Sequence, residues 1–128
     1  MDILPLRWLP LVPASDGRPS PTVVGEIVPD EGWAGPVGLL HGGMAAALLD
    51  ECMGALSHGL DKIATITVTL DLRFRAPVPL DGRAVRVEAW REHPELRRRN
   101  RVHGRLLLAD GTAAVEATAL MLSTDQAV

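Results

Sequence analysis

The sequence is poor in several residue types, and each scarcity removes a class of protein. A single cysteine, Cys52, leaves no intrachain disulfide, and four scattered histidines show none of the spacings of a metal site. No metal and no bound cofactor is expected. No apolar run approaches the ~20 residues that span a bilayer, and residues 1–21 lack the ordered basic, apolar and cleavage regions of a secretory signal. The expectation is a cytoplasmic protein that engages no membrane. Positive charge is not in excess either: the net charge of -3 gives no general attraction to phosphate backbones, so nucleic acid is not the expected partner. Lysine is represented by Lys62 alone against twelve arginines, which reads as coding bias. Tyrosine is missing and Phe74 is the one phenylalanine, so the walls of any pocket are aliphatic. With 128 residues there is room for one compact domain, and 47% hydrophobic residues suffice to fill its core.

Residues 1–21 hold Pro5, Pro10, Pro13, Pro19 and Pro21 and read as an arm laid along the surface of a domain spanning 22–128. A short β-branched stretch, 22–28, predicts a strand, and the glycines and prolines that follow predict a long loop. From Gly43 to about Ser57 the chain turns to Met, Ala and Leu without proline, which predicts a helix apolar around more than half of its circumference. Beyond Gly59 the period becomes two: Ile66, Val68, Leu70, Leu72 and Phe74 alternate with Thr65, Thr67, Thr69, Asp71 and Arg73. Pro77 and Pro79 end this strand. Asp81-Gly82 turns into a strand over 83–91, and Asp110-Gly111 joins strands over 101–109 and 112–123. The expected architecture is α+β, with an antiparallel sheet of about five strands, the last four in meander, wrapped around one long helix. An edge or a face is expected to serve in dimerisation.

Three places could carry chemistry. His41-Gly42-Gly43 stands just before the helix, where unshielded N–H groups and the positive end of the helix dipole suit an oxyanion or a carbonyl. The same segment serves equally as a glycine turn with His41 capping the helix. Asp50 lies inside the apolar helix, where a carboxylate is costly unless paired, hydrated or used as a base. Pairing with an arginine or facing solvent would account for it too. Glu51 points ~100° further round and reads as structural. Because ~10 Å of helix separates Asp50 from Gly43, one reacting carbon cannot be served by both within a chain, and an antiparallel second helix in a symmetric dimer would be needed. Ser57 and His58 are adjacent and diverge on a helix, so they make a poor nucleophile pair. Cys52 reads as a small core residue, and Trp8, Trp33 and Trp90 as packing.

The His41-Gly42-Gly43 motif, the interval from His41 to Asp50, the Asp50-Glu51-Cys52-Met53-Gly54 run and the strand end Phe74-Arg75-Ala76-Pro77-Val78-Pro79 together resemble the hotdog-fold acyl-CoA thioesterases, the phenylacetate-degradation group in particular. The resemblance covers roughly residues 25–123 and implies several roles. Backbone N–H of Gly43, with Gly42, polarises the thioester carbonyl, and His41 holds the loop. Asp50 of the opposing subunit activates water or attacks the carbonyl. Thr67 orients the water, with Thr69 as the second candidate on the same strand. An Asn or Gln that contacts the thioester in relatives corresponds here to Gly35, a departure from the pattern. The substrate implied is an acyl-CoA or aryl-CoA, hydrolysed to acid and thiol by a homodimer or a dimer of dimers.

The run Arg97, Arg98, Arg99 and Arg101 reads either as a solvated turn or as a contact for coenzyme A phosphates through Arg98 and Arg99, and Arg75 is a further candidate. Two rival functions stay open: a non-catalytic acyl-CoA-binding dimer, and a hotdog enoyl-thioester hydratase or dehydratase that would rely on a catalytic histidine.

Overall fold

The computed structural model describes residues 4–128. Six strands and one long helix follow in order: β1 (Arg7–Trp8), β2 (Val23–Ile27), a 3-10 turn (Glu31–Trp33), α1 (Gly42–Asp61), β3 (Ile63–Phe74), β4 (Val85–Arg91), β5 (Arg99–Leu107) and β6 (Ala113–Ala127). The strands form one antiparallel sheet in the order β1-β2-β4-β5-β6-β3. This is the α+β arrangement of a single helix against a curled sheet. The sheet has six strands where about five were expected, because Arg7 and Trp8 of the proline-rich arm pair with Glu26 and Gly25. Among the described residues no helix is long and apolar enough to cross a membrane.

α1 contains no β-branched residue and runs to Asp61, four residues past the expected end. It stops at Lys62, which takes the left-handed conformation at φ 57° and donates to the Gly59 carbonyl. Ala45, Leu48, Leu49, Cys52, Met53 and Leu56 recur at three- and four-residue intervals and are buried against the sheet. They meet Val87, Ala89, Val102, Leu106, Val115 and Met121, the inward residues of β4, β5 and β6. The rest of the helix surface is only half-buried: Met44, Ala47, Asp50 and Ala55 keep contact with solvent in the single chain. One sheet covers one stripe of a helix, so an apolar circumference wider than that stripe remains partly uncovered.

The expected meander of β3 to β6 is not what forms. β4, β5 and β6 are sequential neighbours, and Asp110-Gly111 closes the β5–β6 hairpin with Gly111 at φ 90°. β3, however, pairs with β6 and lies at the far edge of the sheet, so residues 75–84 cross to β4 instead of turning back. Pro77 and Pro79 lack the N–H groups that a ladder requires, and Leu39 bridges Pro79 while Leu40 donates to the Val78 carbonyl. The crossing segment is therefore pinned to the loop before α1.

β3 also carries a bulge. Thr67 faces Met121, but Thr69 faces Leu120, so one residue, Val68, is left over. The even alternation read from the sequence changes phase there. Leu70 and Leu72 turn toward the helix, whereas Ile66 and Val68 are exposed at 58% and 50%. An exposed, β-branched, 12-residue edge strand is a template for pairing with another strand.

The opposite sheet face is held by charge. Glu88 accepts from Arg18 and twice from Arg105, and the Arg18 guanidinium lies 3.7 Å from the centroid of the Trp90 ring. Burial alone would raise the Glu88 pKa, but the hydrogen bonds and charges of Arg18 and Arg105 outweigh it and hold the carboxyl below its ordinary 4.5. A depressed folded value contributes stability that is complete above the unfolded pKa and is lost as pH falls through the folded one. Glu88→Gln should therefore lower the urea midpoint at pH 7 and flatten its decline below pH 4.5. An unchanged acid limb would place the loss on other carboxylates.

Candidate active site

The helix start is fixed from both sides. Gly35 N–H donates to the Leu39 carbonyl at 2.7 Å, and Gly38 takes φ 78° and donates back to Gly35. His41 N–H then reaches the Trp33 carbonyl at 2.9 Å. His41 is extended at φ -61°, ψ 134° and caps α1, its Nδ1 accepting from Gly43 N–H at 2.9 Å. The cap occupies the donor that the resemblance assigns first. Met44 and Ala45 N–H both reach the His41 carbonyl, so Gly42 is the first-turn residue whose N–H has no hydrogen-bond acceptor among the described residues. The Phe74 ring lies over Gly42, where a Cβ would stand 3.5 Å from it. Gly35, His41, Gly42, Phe74 and Arg75 line one cavity of about 470 Å³. A side chain at Gly35 would stand beside His41, its Cβ 3.6 Å from the His41 Cα, so this glycine leaves the space beside His41 open. Arg75 pairs with Glu116 at 3.5 Å on the rim.

The second part of the site lies two helical turns on. Thr67, turned inward from β3 just before the bulge, donates from Oγ1 to Asp50 Oδ1 at 2.7 Å. The carboxylate keeps solvent contact and lines a separate cavity of about 520 Å³. The helical rise sets Asp50 ~12 Å from Gly42, so one chain holds the two groups at different cavities. Of the other sequence candidates, Thr69 is excluded from this place. The bulge turns it to the far face, where its hydroxyl accepts from Leu120 N–H. Arg98 and Arg99 line neither cavity: the Arg98 carbonyl accepts from Ser123 N–H, and Arg99 is exposed opposite Leu122. Cys52 is fully buried, and burial with the nearby Glu88 and Glu51 pushes its thiol far above the ordinary range, so it offers no nucleophile.

Two contributors escaped the sequence reading. Phe74 lines the helix-start cavity beside Gly42, and Trp8 from the arm walls the Asp50 cavity. A signal for the second existed in the β2 sequence: Gly25, opposite Trp8, is a strand glycine whose added Cβ would fall 3.0 Å from the Trp8 ring. Among the described residues no cluster of His, Cys, Asp and Glu is arranged for a metal ion.

A long helix cupped by a six-stranded antiparallel sheet is the hotdog fold, and solved structures share it along nearly the whole chain. A Streptococcus mutans UA159 protein bound to acetyl-CoA superposes with a TM-score of 0.82 at 15% identity, over 98% of this chain and 94% of that one. A hypothetical thioesterase from Streptococcus pneumoniae TIGR4, with coenzyme A, gives 0.82 at 16% identity over 98% and 94%. Variants of this pneumococcal protein with an aspartate or a threonine replaced by alanine give 0.81 and 0.80. A phenylacetic acid degradation-related protein from Ralstonia eutropha JMP134 gives 0.74 at 24% identity over 91% and 83%. The likeness in fold thus extends through the arm, further than the residues 25–123 read from the sequence. Residues 37–96, which run from the loop before α1 through β4, match the model of the thioesterase superfamily. Family match and fold together bear out the resemblance to the hotdog thioesterase group. No curated protein sequence matches the chain significantly.

Proposed function

We propose that the protein hydrolyses acyl-CoA thioesters as a homodimer whose sites each draw on both chains. The observation that carries this reading is the split itself: a hydrogen-bonded Asp50–Thr67 pair at one cavity and an unused Gly42 N–H at another, ~12 Å apart on one helix. A second copy, paired antiparallel along the free edge of β3, closes the gap. If Thr67 lies opposite Phe74 of the second copy, the two-fold axis passes between Leu70 and Asp71. Each Asp50 then faces the other chain's helix start. The pairing would cover Ile66 and Val68 and satisfy the open edge.

In such a site the thioester carbonyl points at Gly42 N–H, where the helix dipole adds to the donor, while Thr67 and Asp50 hold a water on the carbon. Asp50 takes the water proton as the oxygen attacks, the oxyanion forms against Gly42, and its collapse breaks the C–S bond. Carboxylic acid and CoA thiol leave, the proton passing from Asp50 to the thiolate. Direct attack by Asp50, followed by hydrolysis of the anhydride, reaches the same products. His41 holds the loop through its cap, and Arg75 on the rim is placed for a CoA phosphate. That a solved relative is bound to acetyl-CoA and another to coenzyme A supports the substrate class. The hydratase reading loses ground because His41 spends Nδ1 on the helix cap and no described hydrogen bond joins it to an acid.

Free-thiol release from short, medium, long and aromatic acyl-CoA esters tests the proposal. Asp50→Ala should lower kcat by about 10²–10⁴-fold at unchanged dimer content. Full turnover in that variant would end the hydrolase assignment, and tight CoA-ester binding without thiol release would establish the binding protein instead.

A further inference from the structure

The Asp50 cavity has a shape that the split site does not account for. Two rows of α1 face it at four-residue steps, Asp50-Gly54-His58 and Glu51-Ala55-Gly59. Two glycines inside a helix are unfavourable, and close packing usually explains them. Within one chain it does not: among the described residues a Cβ at Gly54 or at Gly59 would meet nothing within 4 Å. Their missing side chains leave a trough along the helix, open at Asp50 and running to His58. Across the trough stand Trp8, Leu9 and Leu11 of the arm, with the Trp8 ring seated on Gly25 of β2. Leu9 N–H is tied to the Val24 carbonyl at 2.9 Å, which fixes the wall to the sheet.

Resting on the hydrolase reading, we infer that this trough is the acyl channel and that it selects unbranched, medium-chain fatty acyl groups. Charge separates the two cavities. The one at the helix start has Arg75 on its rim, while no lysine or arginine lines the Asp50 cavity. The nucleotide end of an acyl-CoA therefore belongs to the former and the acyl chain to the latter. Length follows from the helix: Asp50 to His58 spans ~12 Å. With C–C bonds near 1.5 Å, an extended chain advances about 1.25 Å per carbon, so about eight to ten carbons reach from the carbonyl at Asp50 to His58. The bore is set by Gly54, which stands one turn beyond Asp50, and by Trp8. Bulk at Gly54 obstructs the channel just past the reacting carbon.

Binding and turnover together test this. Dissociation constants of the unreactive thioethers ethyl-CoA and octyl-CoA are measured by calorimetry on wild type, Gly54→Leu and Trp8→Ala. Thiol release is followed for acetyl-, octanoyl-, palmitoyl- and phenylacetyl-CoA. In wild type, octyl-CoA should bind about 10²-fold more tightly than ethyl-CoA, and octanoyl-CoA should have the highest kcat/KM of the four. Gly54→Leu should cut the octyl-to-ethyl affinity ratio and the octanoyl-to-acetyl kcat/KM ratio by about 20-fold or more. Trp8→Ala should reduce the affinity ratio without that block on chain entry. Leucine is a good helix former with free space at this position, and a circular dichroism melt checks that the variant folds. Equal affinity for the two thioethers in wild type, ratios unmoved by Gly54→Leu, or a preference for phenylacetyl-CoA would overturn the channel. Tight octyl-CoA binding with no thiol release from any ester would retain the channel and remove the hydrolase.

Discussion

Mixing two inactive variants should restore activity. Gly42→Val removes the clear approach to the free N–H of the helix start, and losing one such donor lowers kcat by about 10²–10³-fold. Asp50→Ala removes the base. Both changes are compatible with folding: a Cβ at Gly42 would stand at ordinary contact distance, 3.5 Å, from the Phe74 ring, and Asp50 lies on the half-exposed side of α1. If each site takes Gly42 from one chain and Asp50 from the other, a heterodimer of the two variants holds one doubly damaged site and one intact site. Random reassortment makes half of the dimers heterodimers, so about one quarter of wild-type turnover should return. Refolding the variants together from urea and assaying thiol release measures it, with each variant refolded alone as the control. Turnover no higher than the two controls would mean that both groups act within one chain. That result would also require α1 or β3 to rearrange, because the two groups sit ~12 Å apart along the helix.

Local chemistry made much of this protein legible. The Met-Ala-Leu run gave up the helix, Asp110-Gly111 its hairpin, and the Asp50 interval the motif that bears the family resemblance. Long-range pairing was hidden, because Pro77, Pro79 and Asp81-Gly82 mark an end and a turn without saying which strand comes next to which. β3 leaves its sequence neighbour for β6, a contact between segments some fifty residues apart. The bulge at Val68 was equally invisible, and it decides the site: without it Thr67 and Thr69 share a face, and with it only Thr67 can reach Asp50. The choice between Gly42 and Gly43 depended on one side-chain placement, since His41 Nδ1 silences whichever N–H it accepts from. Trp8 reads as packing until β1 is seen to carry it across Gly25 to the cavity wall.

The far end of α1 should prove the most fragile part of the fold. Arg91 on β4 is 2% exposed, and through its guanidinium and its backbone N–H it ties β4 to three other segments. Nη1 donates to Asp61 Oδ2 at 2.5 Å, at the last residue of the helix, and to Ser57 Oγ at 3.5 Å, while Nη2 donates to the Pro94 carbonyl at 2.7 Å in the turn toward β5. Its backbone N–H reaches Ser20 Oγ of the arm at 2.7 Å. Nε is buried with no hydrogen-bond partner among the described residues, so the group is only partly compensated and its net worth depends on the pair with Asp61. Asp61 is 21% exposed on its side chain and recovers some hydration when alone, which places the loss for Arg91→Ala near the low end for a broken buried pair, about 3 kcal/mol, or roughly a 10 °C fall in Tm for a domain of this size. Asp61→Ala should cost a similar amount, because it leaves the guanidinium charged and buried. The double variant should lose clearly less than the sum, since neither charge is then left alone. Urea unfolding of the four proteins measures the coupling, and strictly additive losses would show that Arg91 acts through packing alone. His58 and Gly59 lie between Ser57 and Asp61, so the same clasp fixes the far end of the proposed acyl channel. Arg91→Ala should accordingly broaden chain-length preference under conditions where the variant is still folded, an effect that a loss of stability by itself would not produce.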